Sequence, residues 1–191
     1  MNEQKVAILV IDMQHDFVDE SAPIKCEGAR GIIPEIKRLL EYARRRGIPI
    51  IYTKEVHRAD GSDFGIELEK EPKHCVEGTG GEEIVEELAP KKGDYIIVKR
   101  RYSAFLDTDL EILLKGLRVN TLVVTGVATN ICVRATVEDA KQKDYHVFVP
   151  RECVAGTDRE ANDSNLRDIN NFYGEVLTLS ELIKILDKKF T

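Results

Sequence analysis

The side chains with most chemistry to offer are a thiol, a carboxylate and an ammonium group, each at or just past the end of a short apolar run. Cys132 follows the β-branched run 122–125, which Gly126 breaks, and precedes Val133, Val137 and Ala140 at helical spacing. That spacing puts the thiol in the first turn of a helix just beyond a strand, with Thr129 or Asn130 as the cap. Unpaired N–H groups and the helix dipole favour an anion there, so the thiol is expected to ionise more readily than a free one. Asp12 closes the run KVAILVI (5–11), and Lys99 follows YIIV (95–98). Singly each has a plainer reading: Asp12 as a turn cap, Lys99 as a solvated charge, Cys132 as a small core hydrophobe. Together they put a base and a positive charge beside a thiol, the set that nucleophilic chemistry through sulfur requires.

Parallel strands ending at one edge would bring these groups together. The run 5–11 is apolar throughout after its first residue, as expected of a strand covered on both faces. Pro34 suits a helix start, Ile33, Ile36, Leu39, Leu40 and Ala43 mark one helical face, and Gly47 with Pro49 stops it. Further strands are expected at 48–53, 95–98, 146–149 and 175–177, with a short helix through Ile84, Val85 and Leu88. Thr108 is expected to cap a helix through Leu110, Leu113, Leu114 and Leu117, and Ser180 one through Leu182, Ile183 and Leu186. A polar, Asn-rich helix spans 159–172. Strands alternating with helices define an α/β fold, a mostly parallel sheet with helices on both faces. Ligands of such sheets bind beyond the carboxyl ends of the strands, where Asp12, Lys99 and Cys132 all fall. The polar, glycine-punctuated stretch 54–81 is the type of loop that carries function.

The 191 residues suffice for one domain with a full core, 1–191, with no repeat or linker. A net charge of −6 offers no basic footprint for nucleic acid. No apolar run reaches membrane-spanning length and VAILVI is too short for a secretory signal, so a soluble, cytoplasmic protein is expected. The four cysteines, Cys26, Cys75, Cys132 and Cys153, include no C-x-x-C pair and support neither a disulfide framework nor a thiolate zinc site.

In this order, VAILVIDMQHDF, IIYTKEVH, EPKHCVEGTGGEEI, KRRYSAF, TLVVTGVATNICVRATVEDA and VPRECVAG resemble the isochorismatase-like cysteine hydrolases, the nicotinamidases being the branch most alike. The resemblance covers nearly the whole chain. It implies a three-layer α-β-α sandwich with a Rossmann-like sheet, and Asp12, Lys99 and Cys132 as a catalytic triad. It also implies a cis peptide at Val127–Ala128 and an oxyanion hole from the N–H groups of Ala128 and Cys132. Phe17, Tyr102 and Val127 become substrate contacts, with Phe64 a further aromatic wall.

The same resemblance makes Glu55, His57 and His74 metal ligands, for zinc or else manganese or iron. Residues two apart in an extended chain share a face, so Glu55 and His57 can point alike. Without the resemblance they read as loop histidines near a surface carboxylate. Nicotinamidases usually have Asp where Glu55 stands, often Trp where Val56 stands, and Asp where Asn130 stands, and this chain has no Trp. The implied activity is cysteine-dependent hydrolysis of a small amide with release of ammonia, nicotinamide being the first substrate. The alternative is an N-carbamoyl or ureido acid such as N-carbamoylsarcosine, whose carboxylate would need Arg101 or Arg134. A non-catalytic ligand-binding or scaffold protein is the reading from another class. The resemblance also implies a homo-oligomer.

Overall fold

The computed structural model describes residues 5–189. Its strands are β1 (Val6–Ile11), β2 (Ile50–Glu55), β3 (Tyr95–Lys99), β4 (Thr121–Val127), β5 (His146–Pro150), β6 (Val154–Ala155) and β7 (Glu175–Leu177). They form one seven-stranded sheet, ordered β3-β2-β1-β4-β5-β7, with β6 paired to the end of β4, and every pairing is parallel. Helices cover both faces, giving the three layers expected.

The helices are α1 (His15–Val18), α2 (Ala29–Arg45), α3 (Leu110–Gly116), α4 (Arg134–Gln142), α5 (Arg159–Asp168) and α6 (Leu179–Lys189). Alternate residues of β1 feed two cores. Val6, Ile8 and Val10 meet Ile36 and Leu39 of α2 and Leu182 of α6, whereas Ala7, Leu9 and Ile11 meet Leu114 of α3 and Val137 and Ala140 of α4. Each large aliphatic side chain so buried contributes about 1.5–3 kcal/mol. Burial on both faces is the reason β1 reads as an unbroken apolar run. Among the described residues no helix is long and apolar enough to cross a membrane.

Several local expectations are corrected. Helix α2 begins at Ala29, five residues ahead of Pro34, which sits inside the helix on its exposed side. The backbone bond that proline cannot make there is lost on the solvent side, where the freed carbonyl can meet water. The stop at Gly47 holds: Gly47 (φ 65°) donates to Arg44 O and Ile48 to Ala43 O, a Schellman ending. Helix α6 is capped by Thr178 rather than Ser180, because Thr178 and Glu181 exchange side-chain-to-backbone bonds at 2.8 and 3.2 Å as a capping box. Near Ile84 only a 3₁₀ turn forms, Glu86–Leu88, and the two-residue strand β6 had no sequence signal.

The chain runs outward from β1 through β2 to β3, then returns to β4 on the other side of β1. Strand order therefore reverses between β1 and β4, the position at which open α/β sheets bind ligands. Gly126 lets the two strands meet there: its φ is 103°, and a Cβ would overlap the Ile11 carbonyl.

Candidate active site

Four strand ends converge at this edge. Asp12 follows β1, Glu55 ends β2, Lys99 ends β3, and Cys132 lies in a π-helical turn, Thr129–Val133, between β4 and α4. All four side chains are buried. Asp12 holds a left-handed backbone (φ 48°), unusual for a residue other than glycine. Thr53 fixes it there, accepting from its N–H at 3.1 Å and donating to Oδ1 at 2.6 Å. Lys99 Nζ lies 2.8 Å from Asp12 Oδ2 and 3.6 Å from Cys132 Sγ, donates to Arg101 O at 2.9 Å, and makes a close ion pair with Glu55 Oε2. One ammonium group thus faces two carboxylates and the thiol.

The electrostatics correct the expectation of a readily ionised thiol. Burial pushes the Cys132 thiol well up; Lys99 opposes this, but the charges of Asp12 and Glu55 add to it. The helix-start position is real, yet full burial beside two carboxylates outweighs it. Burial likewise raises the Asp12 carboxyl, against the pull of Lys99. At Glu55 burial is outweighed: the Lys99 charge and the bonds from His57, His74 and Lys99 hold the carboxyl well below its ordinary range. Lys99 is kept charged, its burial overcome by Asp12, Cys132 and Glu55. The arrangement is therefore a neutral thiol beside a basic carboxylate, with the lysine balancing Glu55.

The expected metal ligands meet on the far side of Glu55, and a fourth side chain joins them. His74 Nε2 and His57 Nε2 lie 3.1 and 3.3 Å from Glu55 Oε1, and 3.4 and 3.9 Å from Glu67 Oε1. Glu67 comes from a 3₁₀ turn, Gly65–Glu69, and its Oε1 is buried without a hydrogen-bond partner. His74 Nδ1 bonds Pro72 O at 2.9 Å, which leaves Nε2 with either an extra proton or a lone pair facing two carboxylates. A cation between the four groups resolves that conflict, and a two-nitrogen, two-oxygen donor set suits zinc, manganese or iron. The residues fit a metal ion.

Glu67 escaped the sequence reading because an acidic residue in a charged loop carries no mark of where it folds back. Gln14 escaped it too. Its side chain accepts from Glu55 N–H at 2.8 Å and donates to Glu55 O at 2.7 Å, as a neighbouring strand would, and so fixes the shared carboxylate.

A small pocket opens above Cys132. The expected contacts Phe17, Tyr102 and Val127 line it, as do Ala128, Glu55 and His74. The Val127–Ala128 peptide is cis. Three other expectations fail here. Phe64 does not line the pocket but stacks on His57, ring centroids 3.7 Å apart. Arg101 turns to the carbonyls of Asp63 and Arg100, and Arg134 to Glu138, Asn165 and Asp168, so neither reaches the pocket. Thr129 does not cap the turn, its hydroxyl being buried without a partner; Asn130 instead clasps Thr157, donating to its hydroxyl and accepting its N–H, each at 3.0 Å.

Fold and site together define an α/β protein with a thiol, a carboxylate and a lysine at the switch point of its sheet. The family model for the isochorismatase domain matches residues 6–181, and the chain belongs to that family. It is 34% identical to N-carbamoylsarcosine amidase of an Arthrobacter species over 187 residues, covering 95% of this chain and 71% of that one. An isochorismatase-like hydrolase from Alkaliphilus metalliredigens superposes with a TM-score of 0.88 at 38% identity, over 95% of this chain and 98% of the other. The pyrazinamidase of Pyrococcus horikoshii in complex with zinc gives 0.84 at 29% identity, over 91% and 99%.

Proposed function

We propose that residues 1–191 act as one domain, a cysteine-dependent amidohydrolase that releases ammonia from a small amide through a thioester. The convergence of Asp12, Lys99 and Cys132 beneath a mostly apolar pocket carries this reading. Family membership and the amidase relative support it.

In the reaction, Cys132 Sγ attacks the amide carbon as Asp12 takes its proton, so the thiolate forms only as it is consumed. The raised basicity of Asp12 suits it to this transfer. The backbone N–H groups of Ala128 and Cys132 receive the developing oxyanion. Collapse breaks the C–N bond, and Asp12 returns the proton to the departing amine, leaving the Cys132 thioester. Asp12 then takes a proton from water as its oxygen attacks the thioester, and the free acid and the thiol are restored. Lys99 stabilises the carboxylate and sulfur charges throughout. An ion held by Glu55, His57, Glu67 and His74 would supply a Lewis-acidic point for a substrate's ring nitrogen or for water.

Nicotinamide is the substrate this pocket suits best, with Phe17 and Tyr102 as walls for a flat ring and His74 and Glu55 at the metal side. Ammonia release from nicotinamide and from N-carbamoylsarcosine, with and without chelator, tests the reading. Faster turnover of nicotinamide that falls on metal removal is the expected result; a preference for the carbamoyl acid would move the chain to the branch of its Arthrobacter relative. Hydrolysis of neither amide would favour a ligand-binding role. A homo-oligomeric cytoplasmic enzyme accords with this proposal.

A further inference from the structure

The pocket has an acidic wall that the reaction itself does not need. Glu71 lines it beside Tyr102, whose hydroxyl donates to Glu71 Oε1 at 2.8 Å. The lining holds two carboxylates, Glu55 and Glu71, and the imidazole of His74, with no Lys or Arg among them. Among the described residues Glu71 forms no salt bridge, while Lys99 is engaged by Asp12 and Glu55 and Arg101 by two backbone carbonyls. The Tyr102 phenol is pushed up by burial and by the Glu71 bond and charge.

We propose that Glu71, held by the Tyr102 hydroxyl, selects substrates by charge, admitting neutral or cationic amides and repelling those that carry a carboxylate. This rests on the amidohydrolase reading of the same pocket. Against Glu71 a carboxylate would meet like charge, and the lining offers it no Lys or Arg; like-charge contact is an effective way of rejecting a wrong partner. The same repulsion acts on the product, since hydrolysis turns a neutral amide into a carboxylate.

Nicotinamide and nicotinate form a probe pair of nearly one shape that differs in charge. Their binding is measured by calorimetry on metal-loaded Cys132→Ala protein, alone and with Glu71→Gln or Glu71→Asp added, and hydrolysis of nicotinamide, N-carbamoylsarcosine and its neutral methyl ester is followed in the Cys132-containing counterparts. Nicotinate is expected to bind at least about tenfold more weakly than nicotinamide, and the ester to be hydrolysed at least about tenfold better than the acid. Glu71→Gln should close most of both gaps and Glu71→Asp, which keeps the charge, should retain them. Equal handling of charged and neutral partners by the unsubstituted pocket, or gaps untouched by Glu71→Gln, overturns the role of Glu71 while leaving the amidohydrolase intact. Failure to bind or hydrolyse any of the probes overturns both.

Discussion

Glu55 and Lys99, register partners at the carboxyl ends of β2 and β3, meet as a buried ion pair. The other oxygen of Glu55 receives His57 and His74, so one carboxylate joins the lysine beside Asp12 and Cys132 to the cluster of His57, Glu67 and His74. Removing one member of a buried pair leaves the other charge uncompensated, which is costly.

Glu55→Gln should therefore damage both clusters and His57→Ala mainly one. Both variants are expected to lose metal affinity by at least about tenfold, the scale seen even for indirect partners of a metal. Elemental analysis of protein purified without added metal should find about one ion per chain before substitution and clearly less after it. Equal metal content in the unsubstituted protein and His57→Ala would remove His57 as a ligand.

Cys132→Ala is expected to abolish amide hydrolysis, a loss of at least about 10³-fold, with the fold retained. The side chain is small and its replacement adds no volume, so circular dichroism and the thermal midpoint should change little. Undiminished ammonia release would exclude a covalent thioester.

Thr53 does not line the pocket and holds Asp12 through two hydrogen bonds. Thr53→Val keeps the shape but removes the hydroxyl that fills both the Asp12 N–H and Oδ1. The expected result is a fall in kcat of about 10- to 100-fold with KM nearly unchanged, as for other partners that orient a reacting group. A stability loss of about 1–3 kcal/mol should accompany it in denaturant titration. A change confined to KM would count against the positioning role.

His15, in the turn that carries Phe17, offers a test by pH. Its hydrogen bond to Asp19 at 2.8 Å, with the charges of Asp19 and Glu86, raises its folded pKa despite partial burial. A raised folded pKa stabilises fully below the ordinary value of about 6.5 and ceases to do so as pH rises through the folded value. His15→Gln should thus cost more stability at pH 5.5 than at pH 8.5, by less than about 1 kcal/mol because the pair is partly solvated. Equal losses at both pH values would disprove the linkage.

What the sequence revealed follows from how local each signal is. Strand β1 was plain because both its faces are buried, and Asp12, Lys99 and Cys132 were plain because each sits at the end of an apolar run. His57 and His74 came from the resemblance, whereas Glu67, Gln14 and Thr53 depend on where the loop folds and which strands are neighbours. Pro34 misled because its usual place at a helix start overrode the apolar pattern that begins at Ala29. The thiol expectation failed for a similar reason: a helix start is a local feature, but burial beside Asp12 and Glu55 is a property of the assembled sheet.

Asp12, Lys99 and Cys132 are set by the sheet, while Phe17, Glu71 and Tyr102 are borne by a short helix and loops outside it. Sheet positions answer to two packed cores and change at high cost, whereas loop positions accept substitution. Reaction and appetite can therefore be inherited separately. On the proposed reading, a descendant of this chain could trade the acidic wall for a basic one at Glu71, keep Asp12, Lys99 and Cys132, and begin a new diet in a few mutational steps.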